Sequence, residues 1–408
     1  MQADNPDQVA RRRVFYIPGY DPIHPRRYRE LYRKEGAAQA AVSGYEMALR
    51  PRGGDGGYGW HVKLSTGATT VNADLEVLVW SDIVRASMSH GIGATYLQLL
   101  RTARTYIVSG AIFRLARLRK GPTIAALYPI AVLILELAVA LLAGSGVVWL
   151  VGRALAALGL PEAIGWIAGM AAVWAVLWRF RQADNRIFAY YLMHDYAFTA
   201  AAGGANPPAL EARMAEFADR IAEALGADWD EVLIVGHSSG AHLAVSILAD
   251  LIRAGRVRQD GPALGFLSLG QVVPMVAFLP EARRLRADLA YLSARDEITW
   301  IDVTAPGDGC AFALCDPVSV TGVAPADKHW PLVVSAAFTQ TLSPDRWRAL
   351  RWRFFRLHFQ YLCAFDRPGD YDYFLITAGP LTLAARYRDR APSKSRIETP
   401  LNRYRDVA

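Results

Sequence analysis

The sequence predicts an α/β protein: a doubly wound, mostly parallel sheet into which a two-helix membrane hairpin is inserted. Three observations predict it. After Pro207-Pro208, apolar strand-like and amphipathic helix-like segments alternate at a regular pitch, as in parallel strands joined by crossover helices. Before them lie two long apolar runs. Near the N-terminus, Arg11–Arg13 lead into the apolar strand VFYI (Val14–Ile17), which ends in Pro18-Gly19-Tyr20.

Composition sets the outer bounds. Of 408 residues, 53% are hydrophobic and 20% charged, which excludes disorder for the whole chain. The absence of a strict glycine period or sustained heptads excludes a fibrous rod. Cys310, Cys315 and Cys363 are too few for a disulfide framework or a four-thiolate zinc site, so a reducing compartment is expected. The net charge is +7, from 45 Lys+Arg against 38 Asp+Glu.

The first apolar run, Thr123–Gly152, holds 30 residues with one charge, Glu136. A membrane helix needs roughly 20 such residues. Arg153 and the turn Gly159–Glu162 interrupt it, and a second run, Ala163–Trp178, carries Trp174 and Trp178 where interfacial aromatics belong. Arg101, Arg104, Arg114, Arg117, Arg119 and Lys120 precede the hairpin, Arg179, Arg181 and Arg186 follow it, and the connection holds only Arg153. The positive-inside rule then puts both flanks in the cytoplasm. No secretory signal peptide is expected in MQADNPDQVARRR, which lacks an apolar core. Glu136 near mid-membrane is expected as a neutral or water-bridged acid rather than a functional group.

Four parts follow: residues 1–120, with amphipathic approach helices; the hairpin, 121–180; residues 181–390, the main α/β part; and a loose polar tail, 391–408. In the first part Trp60–Ser65 and Asp74–Trp80 read as strands, and Leu97–Arg119 as a helix lying on the inner leaflet. In the third, Leu210, Met214, Phe217, Ile221 and Leu225 form one helix face. Strand Glu231–Val235, helix Ala241–Ile252, strand Leu264–Leu269, helix Glu281–Leu292 and strands Ile298–Thr304 and Trp330–Phe338 follow.

The most specific motif is Gly236-His237-Ser238-Ser239-Gly240, a G-x-S-x-G between the apolar strand Val232–Val235 and a helix carrying Leu243, Ala244, Ile247, Leu248 and Leu251. A turn tight enough to hold a strained serine needs glycine on both sides, where a Cβ would clash. The helix N-terminus supplies amide donors and positive potential for a developing oxyanion. His237 and His242 beside it are expected to be packing residues.

With this motif in this setting the chain resembles the α/β-hydrolase superfamily, in its lipase and esterase branch, over about two thirds of its length. The resemblance implies Ser238 as nucleophile and the Ser239 amide as one oxyanion donor. It implies a second donor from the loop after an early strand, here the Tyr20 amide beside Gly19. It also implies an acid and then a histidine later in the chain. Asp308, in the loop after Ile298–Thr304, is preferred as the acid, with Asp316 as alternate; His358 is preferred as the base, with His329 as alternate. The hairpin departs from the pattern, since it precedes the motif.

The expected activity is that of a membrane-anchored serine hydrolase cleaving a lipophilic ester through a Ser-His-Asp triad and an acyl-enzyme. Two alternatives stay open: an acyltransferase using the same serine, or a catalytically inactive hydrolase fold serving as a membrane scaffold. No cofactor, metal or nucleic-acid partner is expected, because no P-loop, dinucleotide fingerprint, ligand cluster or nucleic-acid module is recognisable. The positive charge fits anionic lipid.

Overall fold

The computed structural model describes residues 7–53, 57–88, 91–161 and 163–407. Eight strands form one sheet: β1 (Arg11–Ile17), β2 (Glu46–Pro51), β3 (Gly59–Thr66), β4 (Thr69–Val77), β5 (Glu231–His237), β6 (Ala263–Leu269), β7 (Thr299–Thr304) and β8 (Leu332–Ser335). Their order is β2-β3-β4-β1-β5-β6-β7-β8. β1 pairs in parallel with β4 and β5, and β5 to β8 run parallel in sequence; only the β2-β3-β4 edge is antiparallel. Residues 1–120 and 181–390 therefore contribute to one sheet.

Ten helices lead from β1 to the middle of the fold: α1 (Arg26–Ser43), α2 (Ser81–Ser87), α3 (Ile92–Val108), α4 (Ala111–Leu118), α5 (Lys120–Ala157), α6 (Ala163–Gln182), α7 (Asp184–Ile187), α8 (Ala189–Ala200), α9 (Pro208–Leu225) and α10 (Ser239–Arg253). Both sheet faces are covered. Phe15, Ile17, Val232, Ile234 and Phe266 pack with α9 and α10, while Val14, Tyr16, Leu233, Val235 and Leu267 pack with Tyr28, Tyr32, Tyr361 and Phe374 on the other side. Successive strand residues point to opposite layers, which is why these strands read as unbroken apolar runs.

From β1 the chain crosses to the edge strand β2 and returns through β3 to β4 beside β1; after the hairpin it moves the other way, outward from β5 toward β8. The order of the sheet thus reverses between β1 and β5, and their carboxyl ends bound the crevice where ligands of such sheets bind.

Three expectations are corrected. The helix expected at Leu97–Arg119 is two helices, broken where Gly110 adopts φ +69°, a left-handed conformation that glycine takes freely. The strand expected at Trp330–Phe338 is only Leu332–Ser335. The tail is not loose: the Ile397 amide donates to Leu314 O at 2.7 Å, Leu401 N to Val320 O at 3.0 Å, and Arg286 pairs with Asp406 at 2.8 Å. Glu136 is buried on α5, near Tyr96 and Tyr190. Glu162, in the expected hairpin turn, lies outside the described residues.

Helices α5 and α6 are long and apolar enough to cross a membrane, with 38 and 20 residues. Their backbones meet closely at Gly144 and Gly169, where an added Cβ on either would come within 3.0 Å of the other's carbonyl oxygen. Small residues at such a crossing allow the approach. Leu142, Trp149, Trp166 and Trp174 point outward, exposed.

One buried ion pair fastens the sheet centre to the C-terminal segment. Arg12 Nε meets Glu231 Oε2 at 2.6 Å, with both side chains almost fully buried. Arg12 also donates to the carbonyls of Gly379 and Leu381, and Glu231 Oε1 accepts from the Leu383 amide at 2.6 Å. Glu231→Ala strands a guanidinium in the core, so a loss of about 3–5 kcal/mol is expected in denaturant unfolding; a loss below ~1 kcal/mol would contradict this account of the pair.

Candidate active site

The site is built on the carboxyl ends of β1 and β5. At the end of β5 the chain turns straight into α10, and Ser238 at the bend has φ 56° and ψ −121°. That conformation is strained for a residue with a Cβ, at a cost of about 1–3 kcal/mol. Its surroundings enforce it. A Cβ on Gly236 would lie 2.7 Å from Ala241 Cα, and one on Gly240 would lie 2.1 Å from Ile17 O. The Ser238 amide donates to Leu269 O at 2.9 Å, fixing the bend to the end of β6. The serine itself is half-buried, and its hydroxyl makes no hydrogen bond among the described residues.

The loop after β1 crosses in front of it. Gly19 faces Ser238 so closely that a Cβ there would sit 3.0 Å from Ser238 Cβ. Trp80 Nε1 donates to Pro18 O at 3.0 Å, and the Tyr191 hydroxyl donates to Tyr20 O, so the loop is held from both ends. Ser239 is the first residue of α10, where amide groups have no acceptor within the helix. The positive end of the 15-residue α10 therefore points at the cleft.

The histidine and the acid come from two later loops. His358 ends the short helix Phe354–His358, and its Nδ1–H donates to Asp308 Oδ2 at 2.7 Å. Asp308 lies after β7, buried, and also accepts from the Tyr361 hydroxyl at 3.0 Å and the Cys310 amide at 2.9 Å. Burial by itself would raise the Asp308 pKa, but the His358 charge and these hydrogen bonds outweigh it and hold the carboxyl below its ordinary value. His237 backs the pair: its Nε2–H donates to the His358 carbonyl at 3.0 Å. Burial, then the charge of His358, pushes the His237 pKa down to about 3, so this ring stays neutral.

Ser238, Ser239, Gly19, Tyr20 and His358 line one cleft. Pro122, from the first turn of α5, and Phe355 are also in its wall. Gly270 lets the His358 ring approach: at φ +53° it sits where a Cβ would be 3.1 Å from that ring. Asp308, Cys310 and His358 offer ligand atoms within 4.8 Å of one another, the geometry of a metal site. Two features oppose that use: Nδ1 and Oδ2 are already bonded to each other, and burial, then Asp308 and Asp195, pushes the Cys310 thiol up, away from the thiolate a metal needs.

The two alternates lie elsewhere. His329 is half-exposed, 3.5 Å from Asp296, and precedes β8, so it sits away from the strands' carboxyl ends. Asp316 is a helix cap: Oδ1 accepts from the Val318 and Ser319 amides, and Oδ2 meets Lys328 at 2.7 Å. Three cleft-related residues carried no signal in sequence. Tyr361 supports Asp308; Tyr191 fastens the Tyr20 loop; Asp195, on α8, faces the cleft. A helix as uniformly apolar as AYYLMHDYAFTA gives no periodicity by which to place its acid.

Comparison with protein-family models, curated proteins and solved structures finds no match for this chain. Fold and site together define an α/β protein with one mixed, mostly parallel sheet and two helices apolar enough to cross a membrane.

Proposed function

We propose that the chain is a membrane-anchored serine hydrolase, similar to the α/β-hydrolase superfamily, that cleaves a lipophilic ester. The observation that carries this reading is a strained, half-buried Ser238 sharing a cleft with a His358 bonded to a buried Asp308. In the first step His358 Nε2 takes the Ser238 proton while Oγ attacks the ester carbonyl. Asp308 keeps the ring's other proton on Nδ1 and stabilises the imidazolium. The Ser239 and Tyr20 amides are the donors for the oxyanion. The imidazolium then protonates the leaving alcohol, and the acyl group stays on Oγ. In the second step His358 deprotonates a water, which attacks the acyl-enzyme and releases the acid and free serine.

Location supports a lipophilic substrate. Pro122 ties the cleft wall to the base of α5, and the Phe188 and Phe355 rings meet 5.1 Å apart between the end of the hairpin and the histidine segment. Substrate arriving from the bilayer surface reaches Ser238 along these side chains. The basic residues flanking both helices argue for the cytoplasmic leaflet. The test is turnover: the full chain in lipid nanodiscs is expected to hydrolyse a long-chain nitrophenyl ester with a burst of one nitrophenol per protein. A chain without turnover of any lipophilic ester offered would overturn the reading.

A further inference from the structure

The cleft holds a second polar group that ester hydrolysis does not use. Asp195 faces the cleft from α8, and its carboxylate accepts no hydrogen bond and forms no ion pair among the described residues. The other carboxyl in the wall, Asp21, is by contrast already satisfied, by Arg27, the Tyr28 hydroxyl and the Ile23 amide. His242, one turn along α10 from Ser238, is in the same wall, buried, with Nδ1 lacking a partner among the described residues. Burial pushes the His242 pKa down to about 4, so its ring is neutral. Burial also raises Asp195, to about 7, with His358 opposing.

These two side chains stand at a junction. Behind Ser239 is a second, small cavity, walled by Trp80, Phe198 and Leu210. Asp195, His242, Tyr20, Thr199 and Ser239 border both spaces. A substrate group entering the inner space from Ser238 therefore meets a carboxylate and an imidazole nitrogen that have no partner among the described residues. A carboxylate left unpaired in a cleft wall, and a buried polar atom without a partner, both favour a ligand group that can satisfy them. One ligand group satisfies both. An ammonium ion donates hydrogen bonds to the carboxylate and to a neutral imidazole nitrogen, and the rings of Tyr20, Tyr191 and Tyr196 in the same wall add favourable faces for a cation.

We propose that Asp195 and His242 form a subsite for an ammonium group, so that the preferred substrate is an ester carrying a cationic nitrogen close to the scissile carbonyl. This rests on the hydrolase reading of Ser238. The nitrogen could belong to the acyl part or to the leaving alcohol, and the chemistry of recognition is the same.

The experiment compares matched esters with the full chain in nanodiscs. The nitrophenyl esters of 6-aminohexanoate and of heptanoate place the ammonium or a methyl group on the acyl side. Aminoethyl hexanoate and propyl hexanoate do so on the alcohol side. In the wild type, kcat/KM for one amino ester is expected to exceed that of its alkyl partner by tenfold or more, and the pair showing it names the side. In Asp195→Asn that ratio is expected to fall to within threefold of one. Butylammonium is expected to slow alkyl-ester turnover by the wild type more than butanol does, which keeps the test independent of the variant's folding. Equal or inverse wild-type ratios in both pairs, or a ratio unmoved by Asp195→Asn, would overturn the subsite while leaving Ser238 as nucleophile. Absence of turnover with all four esters would take the hydrolase reading and the subsite together.

Discussion

Ser238→Ala is expected to lower kcat for ester hydrolysis by at least about 10³-fold, to the level that binding and oxyanion donors supply alone. The variant removes one oxygen and little else. That hydroxyl makes no hydrogen bond among the described residues, and alanine still has to adopt φ 56° between Gly236 and Gly240. Unfolding midpoints of the two proteins should therefore agree within a few degrees while turnover separates them. Turnover kept within tenfold of wild type would mean another nucleophile acts, and the unpartnered serine would need a different explanation.

Asp308→Asn is expected to cost nearly as much, about 10³–10⁴-fold in kcat, with KM little changed. The carboxylate accepts from His358 Nδ1, the Tyr361 hydroxyl and the Cys310 amide. An amide in its place presents a donor where Nδ1–H now donates. The ring then carries its proton on Nε2, the nitrogen that must take the serine proton, and general-base catalysis stops. Because tautomer rather than packing is at stake, nitrogen-15 spectra of the histidine ring should show the proton moving from Nδ1 to Nε2. A variant with unaltered kcat would place His358 and Asp308 in a structural role.

Much of this arrangement is legible in sequence because the chemistry is local. Buried parallel strands such as Val232–Val235 must be apolar throughout, and a serine bend between strand and helix must carry glycines, so both leave marks at fixed spacing. The elements that escaped lack such marks. Helix α1 buries Tyr28, Tyr32, Gly36 and Gln39 among many charges, so its apolar face is too thin to read. The edge strand β2, Glu46–Pro51, is largely exposed. In sequence Asp308 is preferred over Asp316 only by its nearness to the strand end; the contacts add that Asp316 is occupied with a helix terminus and Lys328. Asp195 was hidden for a similar reason, since the other residues of its cleft come from α10 and from the loop after β1.

The most direct measurement is the site of covalent capture. The full chain in nanodiscs is treated with a fluorophosphonate carrying an alkyl tail, digested, and mapped by mass spectrometry. The account predicts one phosphonylated peptide per protein, modified at Ser238, and none in Ser238→Ala. A wild-type chain that stays unmodified, or one modified at a different residue, would contradict it.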